Sequence, residues 1–311
     1  MAIADASKTT LSSIAEVTAG TTPSTPTFLK KRFTGGSGLQ VVQNFITSNE
    51  IRGDRNISDR VRVGRMTQAS YDFELAYGGY DDWLESLLQG AWTTNVLENG
   101  TTTKSFTVEE IFDTSSGSDD QYKRAPGMYV NTMSLLITAG QIVTGNFSLM
   151  GFGVPSLAQA IISGATYTEP NSNEIITASN DFGNLAVTGL TSPKVQSINL
   201  SITNNMRDQA VIGSIDPTGI GSGRFDVTGD ITVYFENEEA YDIFLANTYT
   251  DLAFRLGGAS SKKYDFSLPR IKFTEASVAA AGNDTDVPLT LSFGATYDSS
   301  DGHALEITRT A

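Results

Sequence analysis

The fold of this chain is decided by residues 69–90, which read ASYDFELAYGGYDDWLESLLQG. In the first part of this stretch, apolar or aromatic side chains at Tyr71, Phe73 and Leu75 alternate with charged ones at Asp72 and Glu74. Successive side chains on a β-strand point to opposite faces of the sheet. A period of two therefore predicts a strand over 69–77 with one buried face and one solvent-facing side.

The second part of the same stretch changes to a helical period. Trp83, Leu84, Leu87 and Leu88 fall on one stripe at helical spacing, which predicts a helix over 80–90. Acidic residues in its first turns complement the helix dipole, and Gly90 is a suitable stop signal. The stretch thus predicts a strand followed closely by an amphipathic helix.

The strand pattern recurs along the chain, whereas helical patterns are few. We predict further strands over 129–137, 142–150, 198–203, 225–235 and 287–297, with a turn at 139–141 between the first two. A second, shorter helix is predicted over 238–245. The sequence therefore predicts a mainly β protein.

Length and charge exclude several classes of protein. The chain has 311 residues, about two domains' worth, and 21 Lys and Arg against 35 Asp and Glu, for a net charge of −14. Such an acidic balance argues against specific nucleic-acid binding and against an anionic membrane surface. The start of the chain lacks the pattern of a secretory signal, and no run approaches the roughly 20 apolar residues of a membrane helix. We expect a protein that folds in the cytosol.

Residues that could carry catalysis are scarce. The chain has no Cys and a single His, His303, which lies in a predicted loop near the C-terminus where we expect it to be solvated. Glu109 and Glu110 are neighbours on a strand, so they point to opposite faces and do not form a paired acid–base site. No set of residues combines a nucleophile, a base and an oxyanion donor. We therefore expect no enzyme, no cofactor and no metal site.

The most informative feature is an internal duplication, in which local residues and the order of elements recur. The matched segments are 46–49 with 202–205, 64–65 with 223–224, 80–84 with 241–245, and 104–108 with 263–268. We predict two similar β-sandwich or β-barrel-like modules over 37–153 and 191–311, each with a short flanking helix. Residues 1–36, rich in Thr, Ser, Gly and Pro, are predicted to form an extended N-terminal arm, and 154–190 a connecting segment of open role.

Several long segments resemble the tail tube (major tail) proteins of long, non-contractile-tailed bacteriophages. The segments that carry the resemblance are 48–55, 62–65, 71–85, 201–207, 223–229, 269–273 and 283–288. The resemblance implies a structural virion protein of the phage tail, assembled in the host cytoplasm. Such modules form rings of six with an inner β-barrel, and the rings stack into a conduit for genome delivery. With two modules in each chain, it favours a homotrimer ring with pseudo-six-fold symmetry over a homohexamer.

The duplication and the resemblance together suggest roles for charged residues. Asp72, Glu74, Asp226 and Asp230 lie on the solvent-facing side of strands in both halves and are candidates for the wall of the lumen. A charged segment around residues 49–62 is expected, with the N-terminal arm, to contact the next ring. Its candidate residues are Asn49, Glu50, Arg52, Asp54, Arg55, Asp59 and Arg60.

The resemblance also implies the partners of the assembled tube. These are further copies of the chain, a tape-measure protein during assembly, and tail terminator and tail-tip proteins. Genomic DNA is expected only in transit, without specific binding, and no membrane partner is expected. An alternative is a surface β-sandwich that binds carbohydrate or mediates adhesion through exposed aromatics such as Trp92, Tyr167 or Tyr249. Another is an outer-membrane barrel, which predicts an outward apolar band with aromatic girdles.

Overall fold

The computed structural model describes residues 3–114, 120–280 and 282–311. Residues 1 and 2 of the expected arm, 115–119 of the first expected module and 281 of the second lie outside the described residues. The first half contains a 3₁₀ turn Ala6–Lys8, strands β1 Thr10–Ala15, β2 Thr27–Lys31, β3 Gln40–Thr47 and β4 Arg60–Glu74, helix α1 Asp81–Leu88, and strands β5 Val96–Glu98, β6 Phe106–Phe112, β7 Gln121–Thr138 and β8 Thr144–Gly151.

The rest of the chain adds a short connection and a second set of long strands. It contains β9 Ser156–Ala158, β10 Thr166–Thr168, β11 Phe182–Ala186, β12 Val195–Thr203, β13 Arg207–Asp208, β14 Ile220–Gly221, β15 Asp226–Tyr234, α2 Glu239–Ala246, β16 Thr250–Gly257, β17 Lys263–Val278, β18 Pro288–Ala295 and β19 Glu306–Thr310. The mainly β prediction with two short helices is confirmed. No helix among these residues is long and apolar enough to cross a membrane.

The predicted strands are present, and two of them are much longer than expected. The predictions over 198–203, 225–235 and 287–297 correspond to β12, β15 and β18 within a few residues. β4 begins at Arg60, earlier than the predicted start at residue 69. The sequence pattern did not predict this part, because the start of the strand is exposed and its charged and apolar residues do not mark a buried face. β7 also begins earlier, at Gln121, because Arg124 to Val130 is covered on both faces and so loses the alternation.

Each half of the chain has the same order of hydrogen-bonded strands. In the first half the order is β3-β4-β8-β7-β6-β1, with every pair antiparallel. In the second half it is β12-β15-β18-β17-β16-β11, again antiparallel throughout. α1 packs against β7, and α2 packs against the corresponding strand β17.

The irregularities of the strands also coincide in the two halves. The β7–β8 register shifts between Val130 and Thr132, and the β17–β18 register shifts between Phe273 and Glu275. The β6–β7 register shifts after Phe106, which pairs with Met128, and the β16–β17 register shifts after Thr250, which pairs with Ile271. Met128 and Ile271 each lie two positions before the residue at which the other shift of the same long strand starts, Val130 or Phe273. Bulges are designed features of strands, so their agreement aligns the halves residue by residue.

This alignment changes some of the segment matches proposed from sequence. β16, not the segment 263–268, occupies the position of β6, since both lie between the long strand and an outer strand. Likewise Val41 opposite Thr67, rather than Ile46, corresponds to Ile202 opposite Val227. Short alternating segments look alike in sequence whichever strand they belong to, and the pairing partners identify them.

The two halves are joined by a direct strand pair. The second part of β7 pairs on one side with β8 and on the other with β12, from Thr132 opposite Thr203 to Thr138 opposite Ser197. A continuous antiparallel run therefore follows the order β3-β4-β8-β7-β12-β15-β18-β17. The core lies on one face of this run, beneath α1, where Trp83 is fully buried beside Phe147 and Tyr71.

The N-terminal segment differs from the expectation of an extended arm. β1 pairs with both β2 and β6, and Leu11 and Phe28 are fully buried. Gly35 forms a bridge with Asp72 on β4. The segment packs onto the first half because Leu11 and Phe28 bury their side chains there. The polar composition of 1–36 does not reveal this role.

The connecting segment 154–190 is anchored at several points to both halves. β9 pairs with β7, β10 runs parallel to β2, and β11 pairs with β16 of the second half. Isolated bridges from Ile175 to Ala76 and from Thr177 to Ile142 hold the intervening chain. β11 therefore takes the same place beside β16 that β1 takes beside β6.

The predicted helices are confirmed, but the first ends differently from the expectation. Gln89, not Gly90, adopts the left-handed conformation at the C-cap of α1, with φ of 49°. A Cβ at Gly90 would lie 2.3 Å from the carbonyl oxygen of Glu98, so this position needs glycine for close approach to β5. α2 ends in the same way at Asn247, with φ of 53°.

Candidate functional site

One face of the continuous sheet is polar. The other face carries the buried side chains of Tyr71, Phe73, Val227 and Ile231. The side chains that alternate with them along the strands reach solvent on the polar face. That face consists largely of Ser, Thr and Asn on β7, β8, β12 and β18. The sequence prediction of one wet side for these strands is confirmed.

The four predicted carboxylates all lie on this polar face, two on β4 and two on β15. Asp72 on β4 is exposed and accepts a hydrogen bond of 2.6 Å from the side-chain amide of Asn146 on β8. Asp230 on β15 accepts a bond of 2.6 Å from the hydroxyl of Ser292 on β18. Glu74 and Asp226 are half-buried positions on the same two strands.

The carboxylates of the two halves share a face but not a level. Aligned through the bulges, Asp230 opposite Ser292 corresponds to Ser70 opposite Ser148, and Asp72 corresponds to Thr232. The acidic groups are therefore staggered along the strands instead of repeating at one height. A staggered arrangement spreads negative charge over the face.

The middle of the paired sheet carries no positive charge, and its basic residues, Arg60, Arg62 and Arg65 on β4 and Lys272 on β17, lie toward the ends of their strand pairs. No Lys or Arg occurs in 40–44, 66–74, 132–138, 144–150, 197–203, 226–234, 275–278 or 288–294. Glu275 of β17 adds one more carboxylate, opposite Ser292. The middle of the face is therefore neutral to acidic, and its carboxylates repel phosphate groups within about 8 Å at physiological salt.

The run of strands ends in two edges that have no partner among the described residues. β3 pairs only with β4, and the second part of β17 pairs only with β18, although β7 at the corresponding place has a partner on both sides. Unpaired edges present rows of free N–H and C=O groups that recruit other strands.

Apolar side chains flank both edges. Beside the β17 edge, Phe235, Tyr241 and Val278 are 38–44% exposed and border an open cleft of about 470 Å³ together with Ala276. Leu245 on α2 is 62% exposed. On the β3 edge Val41, Phe45 and Ile46 are 37%, 56% and 59% exposed. Contiguous exposed apolar patches of this kind mark interaction surfaces.

The charged segment predicted for ring contacts forms the tip of the β3–β4 hairpin. Asn49, Glu50, Arg52, Asp54, Arg55, Asp59 and Arg60 are all exposed. The Arg52 guanidinium bonds both carboxylate oxygens of Asp54, at 3.0 and 2.8 Å, and this lowers the pKa of Asp54 well below its usual range. Ile51 at the tip is 99% exposed, so the hairpin presents an apolar residue among charges.

The corresponding hairpin of the second half spans 204–225 between β12 and β15, and Ile212 at its tip is fully exposed. Arg65 of β4 ties this hairpin to the first half, because its guanidinium bonds both oxygens of Asp216, one of them at 2.8 Å. That bond lowers the pKa of Asp216. Its stabilising contribution is complete above the usual carboxyl pKa and is lost as the pH falls below it.

Sequence reasoning missed a set of buried charges beneath the first half. Glu109 is fully buried, pairs with Arg124 and accepts a bond of 2.5 Å from the hydroxyl of Tyr167. Glu110 points to the opposite face, as predicted, and accepts bonds from the Leu39 amide and the Tyr71 hydroxyl at 2.7 and 2.9 Å. Burial raises the pKa of Tyr71 well above its usual value, with the carboxylate adding to the effect. These groups hold strands together and show no reactive geometry.

The aromatic residues of the carbohydrate-binding alternative are already engaged. Trp92 lies 4.3 Å beneath the guanidinium of Arg309, and Tyr167 stacks on Phe28 at 5.6 Å. Tyr249, 48% exposed, is covered by Arg270 at 3.8 Å. Tyr167 lies on β10, whereas Trp92 and Tyr249 lie in the loops that follow α1 and α2, so no observation favours a sugar-binding platform.

His303 differs from the expectation of a solvated side chain. It is only 5% exposed, because the turn 298–302 folds over it and Leu305 draws the following chain into the core. Its ring faces the carboxylates of Glu98 and Glu306 and no nucleophile.

A polar sheet face, two unpaired edges bordered by apolar side chains, and buried charges that are engaged in holding strands together define a structural β protein. The chain belongs to the phage tail tube protein family, whose family model matches residues 6–295, nearly all of the chain. A comparison with curated proteins found no match. The family is structural and non-enzymatic and belongs to the virion tail, and membership implies self-assembly with other tail components as partners.

Proposed function

We propose that three copies of this chain close into a ring with pseudo-six-fold symmetry, and that such rings stack into a tail tube through which the phage genome is delivered. The observation that carries this proposal is the β7–β12 pair inside the chain. In this pair the edge of β7 meets the edge of β12. The corresponding strands are β17, which matches β7, and β3, which matches β12. Both leave the equivalent edge unpaired at the ends of the sheet.

The proposal rests on the inference that the two halves are repeats of one module. Its support is the common strand order, the coincident bulges and the position of each helix on the long strand. The repeats correspond to 37–153 and 191–311, each preceded by an outer strand, β1 or β11, and 154–190 connects them. Two modules in each of three chains supply the six positions of the ring.

The internal junction predicts the register of the junction between chains. Thr203 opposite Thr132 corresponds to Val42 opposite Glu275, and Ser201 opposite Ser134 corresponds to Gln40 opposite Ser277. In this register Val41 faces Ala276 on the buried side of the sheet. Closing the ring would thus remove both unpaired edges at once.

Burial of the apolar patches supports the same arrangement. Inside the chain, the second half covers α1: Asn204 donates from its side chain to the carbonyls of Leu87 and Val130 at 2.8 and 3.1 Å. Tyr264 of β17 bonds Asp81 at the start of the helix. The neighbouring chain would cover α2 in the same way, which accounts for Tyr241 and Leu245 lying exposed beside the free edge.

In this ring the polar face lines the lumen, with Asp72, Glu74, Asp226 and Asp230 in its wall. Duplex DNA carries about one charge per 1.7 Å, so a basic wall would bind it at every ring. A wall of Ser, Thr, Asn and carboxylates offers no such contact to DNA in transit. A tape-measure protein would fill the same lumen during assembly, and terminator and tip proteins would close the ends of the tube.

Stacking of rings is assigned to the two hairpin tips, 48–59 and 204–225. They join corresponding strands, β3 to β4 and β12 to β15, so they would alternate around one end of the ring. Each tip exposes an isoleucine, Ile51 or Ile212. The N-terminal segment, which is built into the first half, would contribute to stacking only through its exposed turns.

Disulfide trapping tests the ring and its register, and the absence of native Cys makes engineered thiols the only ones present. The Gln40→Cys/Ser277→Cys double variant should form disulfides between chains under mild oxidation, because directly opposite residues bring Cβ atoms to about 4.5–5.5 Å. Ser134→Cys/Ser201→Cys is the positive control, since that pair lies in register within one chain. Val41→Cys/Ser277→Cys is the matched negative control, because the two side chains would point to opposite faces.

The ladder on a non-reducing denaturing gel reports the size of the ring. Cross-linking of assembled tubes should end at three covalently joined chains. A ladder that runs to six chains would retain the ring but refute the trimer. If the positive control cross-links and the Gln40–Ser277 pair gives only monomers, the proposed seam is wrong.

A further inference from the structure

Glu98, His303 and Glu306 lie together where the end of the chain meets its first half. β5 carries Glu98 and β19 carries Glu306, and the antiparallel pairing places these two glutamates directly opposite each other. Like charges at directly opposite positions destabilise a strand pair. A positively charged group or ion between the carboxylates of Glu98 and Glu306 would relieve this repulsion.

The His303 ring occupies that place. Nδ1 lies 3.6 Å from an oxygen of Glu98, and Nε2 lies 3.9 Å from an oxygen of Glu306. The residue is 5% exposed, and Nδ1 is buried without a hydrogen-bond partner. A buried nitrogen of this kind calls for a partner, since nearly all buried polar side-chain atoms have one.

The backbone around the three side chains is held firmly. The side-chain oxygen of Asn99 accepts bonds from the amides of Ala304 and Leu305 at 2.8 and 3.1 Å, and the Asn99 amide donates to the Leu305 carbonyl. Leu305 and Leu97 are fully buried on either side. Precise sites depend on such a rigid framework.

We propose that Glu98, His303 and Glu306 bind one divalent transition-metal cation of the zinc type. One ligand atom from each residue lies within 4.8 Å of the others, so small rotations of the two glutamates, which are partly exposed, bring all three to one ion. Zn²⁺ binds imidazole nitrogen and carboxylate oxygen at about 2.0–2.2 Å. Ca²⁺ and Mg²⁺ prefer sets made of oxygen only, so the imidazole selects against them.

The surroundings leave room for the remaining ligands of the ion. An open cleft of about 560 Å³ borders both glutamates, and it is also lined by Gly90, Thr93 and Asn99. Water from this cleft can complete a four-coordinate shell. Because Glu98 belongs to the first half and the other two ligands to the C-terminal segment, the ion would fasten β19 to the first half of the chain.

Calorimetric titration with ZnCl₂ tests the site on the untagged full chain after chelator treatment. One Zn²⁺ should bind per chain, and the midpoint of thermal unfolding should rise with Zn²⁺ concentration, as expected for a ligand specific to the folded state. MgCl₂ and CaCl₂ at the same concentrations should give neither signal. Lowering the pH through the histidine range should weaken Zn²⁺ binding, because the proton competes for the imidazole.

Variants decide whether these three residues are the ligands. His303→Gln should abolish saturable binding, and Glu98→Gln, at a half-exposed position that tolerates the change, should weaken it at least tenfold. Glu174→Gln, at an exposed glutamate elsewhere, is the matched control and should bind as the wild type does. Unchanged binding in both Glu98→Gln and His303→Gln would overturn the proposal.

One further result would also overturn it. If the chelated protein binds no divalent cation, and nuclear magnetic resonance shows His303 doubly protonated near pH 7, then an imidazolium bridging Glu98 and Glu306 takes the place of the metal.

Discussion

Glu109 shows how a single residue can be essential to the fold without any role in chemistry. It is fully buried on β6, and its carboxylate is held by Arg124 of β7 and by the hydroxyl of Tyr167 in the connecting segment. Three separate parts of the chain thus meet at one charge. Removing one partner of such a buried pair costs more than the pair itself contributes, because the other charge is left uncompensated.

We therefore expect Arg124→Met to lower the free energy of unfolding by about 3–5 kcal/mol. Tyr167→Phe keeps the ring stacked on Phe28 and removes one hydrogen bond to a charged group, so it should cost about 1.5–3 kcal/mol. Equilibrium chemical denaturation of unassembled protein measures both. The double variant Glu109→Gln/Arg124→Met should recover part of the loss, and a loss below 1 kcal/mol for Arg124→Met alone would contradict this account.

At the scale of elements, the hairpins β3–β4 and β12–β15 carry long tips, 48–59 and 204–225, between their paired strands. Their tips combine charged residues that are exposed or paired locally with one fully exposed isoleucine. An isoleucine held in water gains stability only when another surface covers it. In the proposed tube we therefore expect the tips, rather than the strands, to make the contact between stacked rings.

The Ile51→Asp/Ile212→Asp double variant should consequently form rings that no longer stack. Charged side chains at both tips would have to be desolvated at the interface, which opposes contact. Negative-stain electron microscopy and sedimentation distinguish rings from tubes. Leu157→Asp, which changes an exposed leucine on β9, serves as the control and should still give tubes; tubes of normal length from the double variant would argue against the hairpin tips.

On the scale of the whole molecule, basic residues are distributed unevenly between the polar face of the sheet and the other surfaces. The chain has 21 Lys and Arg, but the middle of the paired sheet contains none, and Arg60, Arg62, Arg65 and Lys272 lie toward the ends of its strand pairs. Other basic residues lie at the hairpin tips, in buried pairs such as Arg124 with Glu109, and over aromatic rings such as those of Trp92 and Tyr249. If this face lines the lumen of the proposed tube, the distribution keeps positive charge away from DNA in transit.

Reversing charge on the polar face should turn a passive wall into a binding one. Tubes of Asp72→Lys/Asp230→Lys should retain short duplex DNA at low salt and release it steeply as salt rises, whereas wild-type tubes should not retain it. Asp72→Asn/Asp230→Asn, of nearly equal size, should behave as the wild type. Co-sedimentation with labelled duplex measures retention, and equal retention by all three proteins would place the polar face outside the lumen.

Much of the architecture was accessible from sequence because a strand's faces are set locally. Neighbouring side chains on a pleated strand point to opposite faces, so the position of Asp72 between Tyr71 and Phe73 predicts that it is exposed. The helical spacing of Trp83 and Leu87 predicts the buried stripe of α1. The acidic face, both helices, the family resemblance and the repeated order of elements all follow from patterns spanning a few residues or their recurrence.

Partners in space were accessible only from the folded chain. The pairing of β7 with β12, the incorporation of Leu11 and Phe28 into the first half, and the burial of His303 between Glu98 and Glu306 join residues far apart in sequence. An alternating strand is compatible with many neighbours, and the choice among them depends on which apolar surfaces and edges remain to be covered once the other strands are in place. Local pattern specifies which side of a strand is buried, and only the packing of the complete chain specifies what buries it.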